Sequence, residues 1–152
     1  MSKLMVMCGV VAVGALAGGA QADKGKGAAT MTAAADLKWA DVPNMKGIKI
    51  AVGDGDPGKG ASHFYLKFDK GFTAGEHHHT PDHSGTVVAG TLILTVDGKE
   101  TRLPAGSFFS FSGMKVHATK CDAAADCILA MDARGKWDVV PEPEVKKPDA
   151  KK

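Results

Sequence analysis

The stretch Gly71-Phe72-Thr73-Ala74-Gly75-Glu76-His77-His78-His79-Thr80-Pro81-Asp82-His83-Ser84-Gly85-Thr86-Val87-Val88-Ala89-Gly90 decides how the chain is read. It holds four of the six histidines, and all six lie after residue 62. The internal position and the Thr-Pro-Asp interruption rule out an affinity tag. A solvated histidine-rich loop is the plain alternative, and strand geometry argues against it. Side chains at i and i+2 share one face of a strand. His77 and His79 therefore point one way, and Glu76 and His78 the other. Two imidazoles on one face can hold one ion. Thr80-Pro81-Asp82 reads as a turn that brings His83 back over the same ion. Another ligand must come from a distant segment, and His117 in Gly113-Met114-Lys115-Val116-His117 is the candidate.

Outward from this stretch the pattern is strand, turn, strand. Ile48 to Val52 alternates, Gly53 to Gly60 reads as a loop, and Phe64, Leu66 and Phe68 alternate with Tyr65 and Lys67. Asp54-Gly55-Asp56 lacks the downstream acidic ligand of a calcium loop and reads as a plain turn. Val87 to Val96 is apolar on both parities, as a strand buried on both faces should be. Asp97-Gly98 fits a type I′ hairpin turn. Thr101 to Leu103, Ser107 to Phe111, Lys115 to Thr119, Ile128 to Met131 and Trp137 to Val140 complete the set. Short strands at regular spacing with no helical period predict an all-β sandwich or barrel. Phe108, Phe109 and Phe111 are expected in the core, and Trp137 across a barrel end. His63 and Tyr65 are expected on a half-exposed strand face, with pocket lining as the alternative. Asp82 reads as a turn residue with a capacity to accept a hydrogen bond from a ligand imidazole.

The ends differ in character. Residues 1–22 carry Lys3, an apolar run from Leu4 to Leu16 and Ala20-Gln21-Ala22, the layout of a cleaved secretory signal. Cleavage would start the mature chain at Asp23, remove Cys8 and leave no stable membrane anchor. Residues 23–36 read as a flexible leader, residues 142–152 as a disordered tail, and residues 37–141 as the folded domain. Export to the periplasm is expected, and an oxidising compartment predicts a disulfide between Cys121 and Cys127. The five residues between them, Asp122 to Asp126, read as a hairpin connection. Lysine and arginine exceed aspartate and glutamate by only two, 19 against 17, and the surplus sits mostly in the tail. That is no nucleic-acid footprint.

Gly71-x5-His77-x-His79-x3-His83-x6-Gly90 resembles the first motif of the cupins, G-x5-H-x-H-x3,4-E-x6-G, with histidine in place of the glutamate. Gly106-x5-Ser112-x-Met114-x2-His117-x3-Cys121 resembles the second, G-x5-P-x-G-x2-H-x3-N, keeping Gly106 and His117. Gly55-Asp56-Pro57, Leu66-Lys67-Phe68, Leu103-Pro104-Ala105-Gly106-Ser107 and Gly135-Lys136-Trp137 are also similar to small single-domain bacterial cupins. The resemblance implies a double-stranded β-helix, a jelly-roll-like barrel, with a metal near one mouth held by His77, His79, His83 and His117. A three-histidine site with His83 nearby is the second arrangement.

A set of neutral imidazoles leaves a divalent ion its full double charge. Fe, Zn, Ni, Cu and Co suit such donors better than Mg or Ca. The expected partner is a small molecule, with anions favoured by the excess positive charge; a homodimer fits the resemblance. Two functions follow: a metal-dependent enzyme such as a dioxygenase, or a binding or sensing module around a closed four-histidine zinc. No catalytic base is identifiable.

Overall fold

A computed structural model describes residues 29–143. The signal-like segment, Cys8 and most of the tail lie outside the described residues. Apart from a 3-10 turn at Ala34–Asp36, the regular elements are strands: β1 (Ala40–Asp41), β2 (Ile48–Gly55), β3 (Ser62–Phe68), β4 (Thr73–His78), β5 (His83–Ala89), β6 (Thr91–Val96), β7 (Lys99–Pro104), β8 (Phe108–Phe111), β9 (His117–Cys121), β10 (Cys127–Ala133) and β11 (Val140–Pro141). They form two antiparallel sheets, β1-β2-β3-β10-β5-β8 and β11-β4-β9-β6-β7. The two sheets make a jelly-roll-like barrel, the architecture the resemblance implies.

The alternation of β3 is the pattern that packs the first sheet. Ser62, Phe64, Leu66 and Phe68 are buried, and His63, Tyr65 and Lys67 are half-buried on the other face. Phe64 is fully buried, and its burial contributes on the order of 2 kcal/mol. From the facing sheet, Leu92 and Leu94 of β6 and Cys121 of β9 complete one core with Val87, Leu129 and Met131.

The apolar run Val87 to Val96 is not one strand. It breaks at Gly90, with β5 in one sheet and β6 in the other. Gly90 has φ +75°, and a Cβ there would lie 2.4 Å from the Asp126 carbonyl oxygen. Both parities are apolar because the inward face changes at this corner. Asp97-Gly98 does form the tight turn, with φ of 50° and 76°.

Cys121 and Cys127 are bonded, with Cα atoms 5.8 Å apart. The intervening residues are not a hairpin. Cys121 ends β9 in one sheet and Cys127 begins β10 in the other, so the bridge joins the two sheets. Three boundaries also move. β2 runs on through a register shift between Val52 and Asp54, the strand expected from Lys115 begins at His117, and only Val140 of the last predicted strand is paired. Phe108 points outward and is 66% exposed, while Phe109 and Phe111 pack on the core. No helix among the described residues is long and apolar enough to cross a membrane.

Candidate metal centre

β4 and β9 are neighbours in one sheet, and His77 is the direct register partner of His117. The β4–β9 ladder slips between Ala74 and His77. His79 lies one residue beyond β4. Thr80-Pro81-Asp82 then carries the chain across to the other sheet, where His83 opens β5.

Backbone and carboxylate contacts fix this crossing. Asp138 takes hydrogen bonds from the Thr80 amide (2.7 Å) and hydroxyl (2.6 Å). The Asp82 carboxylate accepts from the Gly113 amide at 2.7 Å, and the Met114 amide donates to the His79 carbonyl at 2.9 Å. The segment leading into His117 is thereby sewn to the turn between His79 and His83. Only glycine fits at 113, because a Cβ would lie 2.3 Å from the Thr80 carbonyl oxygen. Asp82 thus acts through the Gly113 amide rather than through an imidazole. Asp138 was not singled out by sequence, since its partner lies 58 residues away. Burial pushes its carboxyl upward, yet the Thr80 hydrogen bonds prevail and hold it below the usual aspartate range.

All four rings are buried. One nitrogen from each of His77, His79 and His117 lies within 4.8 Å of the others, and His83 falls outside that group. Its ring centroid is 4.8 Å from that of His79 and 6.0 Å from that of His117.

The tautomers follow from the hydrogen bonds. Nδ1 of His77 meets the Gly75 carbonyl at 2.8 Å, that of His117 the Lys115 carbonyl at 2.9 Å, and that of His83 the Pro81 carbonyl at 3.2 Å. Nδ1 of His79 meets the Asp138 carbonyl. A carbonyl only accepts, so each Nδ1 carries the proton and each Nε2 keeps its lone pair. Tethering one ring nitrogen to leave the other as donor is how proteins orient metal-binding histidines. Burial also favours the neutral, ligating form. It lowers the pKa of His77 and His83, and takes His117 to about 4 and His79 to about 3, each partly opposed by its backbone hydrogen bond. Buried, neutral and pre-oriented, the donor set fits a divalent transition ion.

Aromatic rings hold the imidazoles from behind. Trp137 stacks on His79 at 3.9 Å and meets His83 edge-on, and Phe111 stacks on His117 at 4.3 Å. Trp137 therefore does more than cover a barrel end. His78 points away and pairs with Glu142 at 2.5 Å. His63 pairs with Asp132 and, with Tyr65, lines a separate outer groove rather than the interior.

The four histidines line an interior cavity of about 390 Å³. Its remaining walls are mostly apolar and come from both sheets, with Leu66, Phe68, Leu92 and Leu129 among them. Phe109 and Phe111, expected simply as core, also line it.

Residues 64–131 match the family profile described as the Cupin domain. Among solved structures, the chain is similar to KdgF from Halomonas sp. (21% identity, 70% of this chain and 94% of that one, TM-score 0.59). It is also similar to the polyketide cyclase RemF from Streptomyces resistomycificus (13%, 78% and 89%, TM-score 0.67). A third likeness is to an RmlC-like cupin from Shewanella frigidimarina (20%, 70% and 92%, TM-score 0.57). At these identities the likenesses carry the fold alone. No curated protein sequence matches the chain.

Proposed function

As the chain belongs to the cupin superfamily, we propose that it is a periplasmic metal-dependent protein that binds and transforms a small molecule in its interior cavity. His77, His79 and His117 would hold one divalent ion (Fe, Zn, Ni, Cu or Co), with His83 beside them. The observation that carries this reading is that the three clustered imidazoles line the same cavity as the apolar walls. An ion held by three protein ligands keeps a position for a ligand atom, and here that position would face the apolar-walled cavity of about 390 Å³. Fold relatives that act on small molecules, among them a polyketide cyclase and an oxalate oxidase, accord with this reading.

When bound, the ion would polarise a ligand oxygen and, if iron or copper, support oxygen chemistry. The chain's own residues do the rest. The backbone carbonyls hold the imidazoles in the donating tautomer. Trp137 and Phe111 fix the ring planes. The apolar walls exclude water and strengthen electrostatic interactions inside.

A closed four-histidine zinc site in a binding or sensing module is the second reading, favoured by His83 lying 4.8 Å from His79. Elemental analysis of protein purified from its native compartment tests both, together with the visible spectrum of Co(II)-loaded protein before and after azide. A shifted spectrum shows an exchangeable position and supports the open site. Stoichiometric zinc, unresponsive to azide after Co(II) exchange, supports the closed one.

A further inference from the structure

The residues lining the cavity restrict what can enter it. Its polar side chains are the four histidines, Thr119, Asp138 and the indole of Trp137, and among the described residues no lysine or arginine lines it. The Asp138 carboxylate is already engaged by Thr80. A second anionic group on a ligand lying among these walls would thus find no cationic side chain among the described residues, and burying an unpaired charge in apolar surroundings is costly. At the histidine end the balance reverses. Neutral imidazoles leave a divalent ion its double charge, which favours one anionic donor there.

From this contrast we infer that the cavity takes an apolar monoanion: a single carboxylate, phenolate or enolate head at the metal, attached to a hydrocarbon or aromatic body. The inference rests on the metal-centre reading above. The body would lie among Ile48, Leu66, Phe68, Phe72, Leu92 and Leu129, and the volume of about 390 Å³ accommodates two fused rings. Small diacids and sugars are poorly matched, because their extra polar groups meet mostly apolar walls. Selection comes from shape and from the absence of a second charge partner, not from a dedicated cationic side chain.

A matched series tests this on the full chain loaded with Co(II). The Co(II) absorption band is recorded first. Acetate, benzoate, 2-naphthoate and terephthalate are then titrated by calorimetry. Affinity should rise from acetate to benzoate to 2-naphthoate by roughly tenfold per ring, as expected for burying apolar surface. Terephthalate, which is benzoate with a second carboxylate, should bind at least about tenfold more weakly than benzoate. Ala74→Phe, which fills part of the cavity, should weaken 2-naphthoate while leaving the Co(II) band and acetate binding in place.

Equal affinities along the series, or terephthalate binding as tightly as benzoate, would overturn the inference while leaving the metal centre standing. Absence of a Co(II) band would remove the metal centre and the inference with it. If Ala74→Phe takes up no Co(II), the unsubstituted protein's series still decides.

Discussion

His77 and His117 face each other across the β4–β9 ladder as direct partners, their ring centroids 4.5 Å apart. Residues 40 positions apart in sequence are thus held by ladder hydrogen bonds in a pair that one ion can bridge. His83 stands on the opposite sheet, reached through a turn.

That difference separates the ligands by consequence. His117→Ala or His77→Ala should abolish stoichiometric Co(II) binding. His83→Ala should retain it with affinity reduced by about 10–100-fold, the range typical of groups that support ligands rather than bind. Equilibrium dialysis of the folded variants measures this. Complete loss in His83→Ala would restore the four-histidine arrangement.

Acid should destabilise the metal-free protein from an unusually high pH. The buried histidines have folded-state pKa values below the unfolded value of 6.5, about 4 for His117 and about 3 for His79. Unfolding therefore takes up protons. Stability is full above pH 6.5 and falls as the pH drops toward 4 and then 3. Asp138 and the other aspartates with lowered pKa contribute only nearer and below their unfolded value of 3.8. Urea midpoints in chelator at pH 7.5 and pH 5 should differ in this direction. A midpoint unchanged between them would contradict the burial of these rings.

Met114 occupies the second-motif glycine position with φ +65°, and its side chain is 57% exposed. A non-glycine residue in the left-handed region costs roughly 1–2 kcal/mol. Met114→Gly should therefore stabilise the fold by about 1 kcal/mol after the entropy cost of glycine. An increased urea midpoint with unchanged metal affinity is the expected result.

Breaking the disulfide should cost less than its position suggests. The closed loop is short, with a sequence separation of 6, and chain-entropy arguments give about 2 kcal/mol. The Cys121→Ser, Cys127→Ser double variant should fold, with a lowered melting temperature. Both sulfurs are buried, so a loss well beyond this value would point to packing rather than loop closure.

Much of the site could be read from the chain because strand parity and motif spacing are local. The shared face of His77 and His79 and the Asp97-Gly98 turn both follow from short-range geometry. What escaped was set by contacts across the barrel. Asp138 fastens the turn at Thr80, and Trp137 stacks on His79. Neither has a sequence neighbour that announces it. The two sheets of the Val87 to Val96 run escaped for a related reason. A corner that swaps the inward face looks, residue by residue, like burial on both sides. The connection between the cysteines was misread because a short link between antiparallel strands is usually a hairpin, and here it changes sheets.

The groups that aim the four imidazoles are main-chain carbonyls of Gly75, Pro81, Lys115 and Asp138. No side-chain replacement can delete a carbonyl. Drift at Lys115, or even loss of the Asp138 carboxylate, would leave each ring proton its acceptor so long as the strand ends hold their path. The aim of the donors is thus inherited with the backbone trace, and sequence variation around the mouth is free to reshape the chamber without redirecting the lone pairs.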